Sequence, residues 1–309
     1  MSIKGASGRV TIYSPMNNIS SIDFCNAIQS AAVDSPDQNV YLLLDQAGLP
    51  GVYQELQKHS VPRVTLFDDT TEKSALAVAP VLILAAERGV LIAKKRLLHW
   101  LSRHASDTSS AIFLVSPLPV EVMRMRLSLR LEAELSEEAS AIFRFYDSRI
   151  LTALISILDE VEREAFLGVA STWVYPERSG QLKTTRIKFN LDDAFVAPLK
   201  LHANQEFAFV EASEVDQVLD LLRTVIPRKM KECSVPEQFF RVKDLVSKAK
   251  FEGIESVLGC SIFCSILLRG GSKVLDSPLW IDIMKELKSG ARDMTRLDDL
   301  IEDLFLRCV

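Results

Sequence analysis

The stretch Val40-Tyr-Leu-Leu-Leu-Asp45 is an apolar run that ends in an acid. Fully buried strands have this pattern, because both faces of such a strand contact apolar groups. Ala111-Ile-Phe-Leu-Val-Ser116 has the same character, and Val81–Ala85 predicts a third strand or a buried turn of helix. Helical spacing occupies Val52–Lys58 and Leu91–His104 between these runs. The alternation predicts an α/β lobe in which helices cover a mixed or parallel sheet.

A change of period within one segment predicts a joint between a strand and a helix. Within Ala141–Tyr146, one set of alternate positions is Ile142, Arg144 and Tyr146, and the other is Phe143 and Phe145. This period of two residues predicts a strand. From Asp147 to Leu158 the apolar residues return to helical spacing, and Asp147 is placed to cap that helix. Loss of this cap in Asp147→Ala is expected to cost about 1 kcal/mol.

The two arginines of this joint are its second feature. Arg144 and Arg149 flank the expected cap, and we expect them to reach acids such as Asp45 or Asp69. An architectural role for the joint and direct contact with a partner are both open from the sequence.

A polar stretch after the strand predicted at Thr172–Tyr175 marks the candidate domain boundary. Residues Pro176–Lys188 contain Gly180 and several charges, and from Ala212 onward the spacing is almost entirely helical. We therefore predict an α/β lobe at residues 1–182, followed by an all-α lobe at residues 183–309.

Composition limits the class of protein. The chain has 309 residues, of which 48% are hydrophobic and 25% charged, and its net charge is −5. Disorder requires lower hydrophobicity, and a nucleic-acid binder normally carries a basic face, so both classes are disfavoured. Five cysteines without a Cys-x-x-Cys pattern favour reduced thiols in a cytosol. The apolar run Val257–Leu268 is shorter than the roughly 20 residues of a membrane span, so we expect a cytoplasmic protein without membrane contact.

Motifs of catalytic chemistry are missing from the sequence. It contains no phosphate-binding loop, no Gly-x-Gly-x-x-Gly and no Gly-x-Ser-x-Gly, and its four histidines do not cluster. We expect no metal, no cofactor and no catalytic residues. The best catalytic candidate is Asp45, because ligands of α/β sheets gather beyond strand ends. An acid at that position also commonly caps the next turn or pairs with an arginine. An enzyme that uses the sheet edge near Asp45 and Asp68 is therefore the alternative.

Charge is distributed unevenly in the second lobe. Residues 223–250 hold eight basic and three acidic residues, whereas residues 276–303 hold eight acidic and four basic residues. A solvated surface is one interpretation, and a surface that orients a charged protein partner is the other. The candidate partner-binding residues are Arg223, Arg228, Lys229, Arg241 and Trp280.

Several segments resemble one bacterial family. They are Tyr41-Leu-Leu-Leu-Asp45, Leu49-Pro-Gly51, Leu66-Phe-Asp-Asp-Thr70, Ala79-Pro80, Phe143-Arg-Phe-Tyr-Asp-Ser-Arg-Ile-Leu151, Phe166-Leu-Gly168, Trp173 and, in the second lobe, Leu199–Leu222 and Phe251–Trp280. Together they are similar to a domain-of-unknown-function family of type VI secretion effector chaperones, also called Tap or Tec adaptors. The chain departs from the family pattern at Asp69, Val81 and Ser148, where glycine, an aromatic residue and proline are usual.

The resemblance implies a function and a set of motif residues. Members bind one toxic effector in the cytosol and help to load it onto the VgrG spike, and no catalytic residues are established for them. The expected partners are therefore a cognate toxin and VgrG, and we expect the protein to be monomeric when alone. An immunity-like protein that inhibits the toxin is a further alternative. The motif residues are Asp45, Arg144, Phe145, Tyr146, Asp147 and Arg149.

Overall fold

The structure is a computed structural model, and it describes residues 23–68, 75, 77–105, 109–290 and 294–308. The helices are Phe24–Asp34 (α1), Val52–Lys58 (α2), Lys95–His104 (α3), Val120–Leu129 (α4), Ser148–Ile157 (α5), Glu160–Leu167 (α6), Ala203–Val225 (α7), Pro227–Met230 (α8), Val235–Phe251 (α9), Val257–Gly270 (α10), Pro278–Lys288 (α11) and Met294–Cys308 (α12). A 3₁₀ helix at Gly271–Asp276 joins α10 to α11.

Ten strands form two sheets within the described residues. The strands are Asn39–Asp45 (β1), Val64–Thr65 (β2), Pro80–Glu87 (β3), Val90–Leu91 (β4), Ala111–Ser116 (β5), Glu132–Glu134 (β6), Ser140–Ile142 (β7), Thr172–Pro176 (β8), Leu182–Arg186 (β9) and Leu199–Lys200 (β10). The larger sheet has the order β2-β3-β1-β5-β8-β9, with β4 paired to β3, and all of these pairs are antiparallel. In the smaller sheet, β10 pairs parallel with β6, which pairs antiparallel with β7. The predicted lobe of strands covered by helices is confirmed, and among the described strands the parallel pairing lies in the smaller sheet.

The large sheet is buried on both faces, which explains its uninterrupted apolar strands. Along β1, Tyr41 and Leu43 point into one hydrophobic core, which α4, α5 and α6 complete. Leu42 and Leu44 point into a second core on the opposite face, which α1, α2 and α3 complete. Because successive strand residues face opposite ways, a strand between two helical layers needs apolar residues at every position.

A helical lobe follows the sheets, as predicted, although it begins later than residue 183. Strand β9 still pairs with β8 of the large sheet, and β10 pairs with β6. We therefore use "N-terminal lobe" for residues 23–202 and "helical lobe" for residues 203–308. The helical lobe has its own hydrophobic core, to which α7, α9, α10, α11 and α12 contribute.

Helix α7, the first helix of the helical lobe, also packs against the N-terminal lobe and connects the two. Near its start, Phe209 packs against Phe143 of the N-terminal lobe, with ring centroids 5.6 Å apart. Near its end, Val218 and Leu222 are buried in the core of the helical lobe. One continuous helix of 23 residues thus fixes how the two lobes meet.

A buried arginine holds the segment that leads from the sheet to α7. The Arg130 side chain is fully buried, and its Nη2 lies 2.5 Å from Asp193 Oδ1. Its Nε donates to the Phe166 carbonyl at 2.6 Å, and its guanidinium lies over the Phe195 ring at 4.6 Å. Burial lowers the pKa of Arg130, and the hydrogen bond to Asp193 opposes that change. A fully buried guanidinium is not solvated by water, so it requires protein partners for its charge and its hydrogen-bond donors.

Some predicted elements differ from the observed ones. The predicted strand Ala141–Tyr146 is wrong beyond Ile142, because the chain turns there: the Asp147 amide donates to the Arg144 carbonyl. Phe145 and Tyr146 are both buried, so the alternation reflected aromatic packing and not a pleated strand. The sequence also predicts a strand at Arg63–Phe67, but the observed strand is limited to Val64–Thr65. The helix predicted at Leu91–His104 starts at Lys95. For the first helix, the sequence predicts a cap at Ser20. Ser20 lies outside the described residues, and Asp23 caps α1.

One helical stretch, Val257–Asp276, is long and apolar enough by length and composition to cross a membrane. Its regular α-helix ends at Gly270, and Cys260, Phe263, Cys264 and Ile266 are buried against the neighbouring helices. A helix that is apolar on most sides is expected at the centre of a bundle.

Candidate functional site

A cleft of about 250 Å³ lies between the two lobes. From the N-terminal lobe it is lined by the end of β1, by the segment before α5 and by the turn after β8. From the helical lobe it is lined by the later part of α7 and the start of α9. We call it the interlobe cleft. The motif residues Asp45, Arg144, Asp147 and Arg149 all line it, together with Arg178, Arg223 and Phe239.

Asp45 lies at the bottom of the cleft, at the last position of β1. Its side chain is 2% exposed; Oδ1 accepts from the Ala47 amide at 3.0 Å and Oδ2 accepts from Arg144 Nη2 at 2.8 Å. The turn cap and the arginine pair considered from the sequence are therefore both present. Gly48 follows closely, and a Cβ there would overlap Ser110 Oγ and lie 3.0 Å from Asp45 Oδ2. The close approach of two loops thus requires glycine at this position.

Asp147 caps α5, as predicted, and also anchors Arg149. Its Oδ1 accepts from the Arg149 amide at 2.9 Å, and its Oδ2 accepts from Arg149 Nη2 at 2.6 Å. The expected reach of Arg144 to Asp45 is confirmed, but the described partner of Arg149 is Asp147 and not Asp45. Asp69 lies outside the described residues. The hydrogen bond to Asp147 raises the pKa of Arg149, so this guanidinium stays charged.

An ion pair between Arg178 and Asp216 joins the two lobes at the cleft. Arg178 also lies over the Phe239 ring, 4.6 Å from its centroid. Burial raises the pKa of Asp216 and lowers that of Arg178, although the attraction between the two groups opposes both changes. Both shifts have the same cause, so desolvation outweighs pairing at this contact.

Arg223 forms the rim of the cleft on the helical lobe. Its Nε donates to Gln238 Oε1 at 3.1 Å and its Nη1 donates to Asp220 Oδ1 at 3.2 Å. Gln238 is itself buried and donates to the Met230 carbonyl at 2.8 Å, so it is a fixed acceptor. The guanidinium is therefore held in one orientation at the mouth of the cleft.

The two aromatic motif residues support the site from within the core. Phe145 is fully buried and makes edge contacts with Phe166 and Trp173, at centroid distances of 5.6 and 6.3 Å. Tyr146 is also buried, and Arg144 lies 5.8 Å above its ring. Burial raises the pKa of Tyr146, and the charge of Arg144 opposes that rise. These rings set the position of the chain that carries Arg144 and Asp147.

The candidate partner-binding residues do not lie at one place. Of the five, Arg223 lines the interlobe cleft. Lys229 and Arg241 border a separate small depression beside Cys233, and Arg228 is exposed on α8. Trp280 is half-buried and packs against Phe263, with ring centroids 5.7 Å apart. The structure therefore groups Arg223 with the motif residues and separates it from the other four.

Several cleft residues were missed from the sequence. Arg178 lies in the polar stretch that was interpreted as a boundary, and a single arginine there carries no local signal. Leu219, Val235 and Phe239 have the helical spacing of core residues, and only the meeting of the lobes places them at the cleft. Gly48 follows the end of β1 and precedes Leu49-Pro-Gly51. Its sequence position did indicate a special role, because a glycine beside a strand indicates close backbone approach.

The chemistry of the cleft depends on the side chains that line it. Within the described ranges, no group of three or more histidine, cysteine or acidic side chains is placed to hold a metal ion. The residues that line the cleft include no histidine and no cysteine. Its chemistry is that of paired guanidinium and carboxylate groups beside an apolar wall.

The motif residues of the cleft fall inside a region with recognisable sequence similarity. Residues 40–165 match the model of a family described as a domain of unknown function, DUF4123. The DUF4123 match runs from β1 to α6 and contains Asp45, Arg144, Asp147 and Arg149. It covers less than half of the chain, and Arg178, Arg223 and the helical lobe lie outside it. No curated protein and no solved structure matches the chain.

Proposed function

We propose that this protein is a type VI secretion effector chaperone and adaptor. It binds one toxic effector in the cytosol and helps to load it onto the VgrG spike, without catalysing a reaction. The observation that carries the proposal is the position of the segment Phe143–Leu151, which has the strongest resemblance to that family. This segment places Arg144, Asp147 and Arg149 in an open cleft between two lobes.

The DUF4123 match supports the same proposal, because it covers the segments of the N-terminal lobe on which most of the resemblance rests. The two-lobed shape adds a physical argument. A groove between two rigid bodies presents surfaces of different chemistry to one bound segment, which is how peptide-binding proteins obtain specificity.

Enzymatic use of the cleft is the second candidate, because the cleft borders Asp45. A general base must have an accessible lone pair within reach of its substrate. Asp45 is 2% exposed, and both of its oxygens accept hydrogen bonds from Ala47 and Arg144. This geometry favours a structural role for Asp45 and binding as the function of the cleft.

The proposal predicts a toxin gene beside the gene for this protein. The test is co-expression of the tagged protein with the product of that gene, followed by affinity purification. A spike protein and an unrelated toxin serve as controls. We expect selective recovery of the neighbouring toxin, and loss of toxin delivery from a strain that lacks the gene. Normal delivery from the deletion strain would refute the proposal. Protection of cells against the toxin would instead indicate an immunity protein.

A further inference from the structure

Three ion pairs at the interlobe cleft share one orientation. In each pair the arginine side chain is more exposed than its acidic partner: 43% against 2% for Arg144 and Asp45. The values are 34% against 4% for Arg149 and Asp147, and 28% against 14% for Arg178 and the acid of α7. The carboxylates therefore lie behind the guanidinium groups, which form the layer that faces the cleft.

This orientation makes the accessible surface rich in hydrogen-bond donors. A guanidinium carries five N–H donors and no acceptor, and a single carboxylate uses at most two or three of them. Arg223 adds a fourth guanidinium at the rim, although its acidic partner Asp220 is exposed. Glu177, the remaining acid of the lining, is paired with Lys183 at 2.9 Å. A ligand that enters thus meets donors with unused capacity, while the acids are occupied.

The wall of the cleft that the helical lobe contributes is apolar apart from Arg223. Its apolar residues are Leu219 from α7 and Val235, Pro236 and Phe239 from the start of α9, and Arg178 of the N-terminal lobe lies over the Phe239 ring. A free inorganic anion would make no use of this wall. A ligand that matches both walls has an oxygen-rich anionic group and an adjacent apolar group.

The size of the cleft limits the ligand further. Its volume is about 250 Å³. Pockets for drug-sized ligands and cofactors usually range from about 300 to 1,000 Å³. The cleft therefore has space for one or two side chains of an extended peptide.

We infer that the interlobe cleft binds a carboxylate of a polypeptide segment in which an acidic group adjoins an apolar side chain. Arg149 and Arg223 hold the carboxylate from the two lobes, and the apolar neighbour packs against the wall of α7 and α9. The inference rests on the proposed function only in naming the partner protein as the source of the segment. A side-chain carboxylate and a C-terminal carboxylate present the same chemistry.

Three short peptides test the inference without knowledge of the partner. The probes are acetyl-Leu-Asp-Leu-amide, its uncharged counterpart acetyl-Leu-Asn-Leu-amide, and acetyl-Leu-Asn-Leu with a free C-terminal carboxylate. Dissociation constants are measured by titration of the full-length protein carrying isotope-labelled arginine, with the side-chain Nε–H resonances as the readout. We expect at least one carboxylate probe to bind about tenfold more tightly than the uncharged probe, as one charge-assisted hydrogen bond provides.

Two variants and one matched control assign the site. Arg149→Gln and Arg223→Gln should each remove most of the carboxylate preference. Arg103→Gln, which removes an exposed arginine of α3 outside the cleft, should retain it. Arg223→Gln is the safer variant for folding, because its partner Asp220 is exposed and can be solvated. A cooperative denaturation transition confirms that each variant is folded.

The outcomes separate this inference from the proposed function. Tighter binding of the aspartate probe indicates an internal acidic residue, and tighter binding of the free-acid probe indicates a chain terminus. Equal binding of all three probes, no binding at millimolar concentration, or an equal loss in Arg103→Gln would overturn the inference. A toxin that co-purifies equally well with wild type and with Arg223→Gln would leave the chaperone proposal intact and reject the cleft as its contact.

Discussion

The replacement Asp147→Ala measures how strongly the joint before α5 stabilises the N-terminal lobe. The Asp147 side chain is 4% exposed and accepts hydrogen bonds from both the backbone and the side chain of Arg149. The replacement removes a helix cap and also leaves a guanidinium without its acid. The sequence alone accounted for the first effect, and the structure adds the second.

The expected magnitude follows from these contacts. Loss of an N-cap costs about 1 kcal/mol. Loss of the charge-assisted pair adds about 1 kcal/mol, which is below the usual range for hydrogen bonds to charged groups because Arg149 is 34% exposed and regains water. We therefore expect Asp147→Ala to lower the free energy of unfolding by about 2 kcal/mol. Asp147→Asn should lower it by about 1 kcal/mol, because asparagine retains a cap acceptor but not the charge.

The measurement is urea denaturation at neutral pH, followed by circular dichroism and by tryptophan fluorescence. Trp173 is fully buried in the same lobe and contributes to the signal, to which Trp100 and Trp280 also contribute. Arg149→Gln is the matched control, since it keeps the cap acceptor and removes the guanidinium.

Two results would refute this account of the joint. An unchanged midpoint in Asp147→Ala would show that the cap contributes nothing to stability. Equal losses in Asp147→Ala and Asp147→Asn would show that charge alone matters and that the cap does not.

Three further predictions concern buried contacts elsewhere. Arg130→Ala should lower the free energy of unfolding by about 3–5 kcal/mol, because it leaves Asp193 and several carbonyls without their donor; a loss below about 1 kcal/mol by urea denaturation would contradict this. Gly48→Ala should cost about 1–3 kcal/mol, because the new methyl group overlaps Ser110 Oγ, and adding Ser110→Ala should restore part of that loss; absence of any rescue would reject the overlap as the cause. Burial raises the pKa of Asp216 above 3.8, so ionisation of this group opposes folding. The stability of wild type relative to Asp216→Asn should therefore fall as the pH rises from 3.8 through the raised pKa. A difference in denaturation midpoint that does not change with pH would contradict the raised pKa.

Local patterns in the sequence were sufficient for most helices and for the central strands. Val40–Asp45 and Ala111–Ser116 were predicted because a strand buried on both faces must be apolar throughout. The strand prediction was wrong at Phe143–Tyr146, where the aromatic residues around Arg144 have the period-two spacing of a strand but do not form one. Their alternation arises from packing around Phe166 and Trp173, which lie further along the chain.

The cap at Asp147 and the classes of the two lobes were determined by the sequence itself. A cap involves residues two or three apart, and periodicity involves one turn of helix or two strand positions. Both can therefore be recognised in a short stretch of sequence. The interlobe cleft was decided only by the tertiary structure. Asp45 and Arg144 are 99 residues apart, and the partner of Arg178 is 38 residues away on α7. Helix α7 packs against hydrophobic cores in both lobes. That packing decides which guanidinium groups face solvent and which acids lie behind them. No short stretch of sequence contains this information.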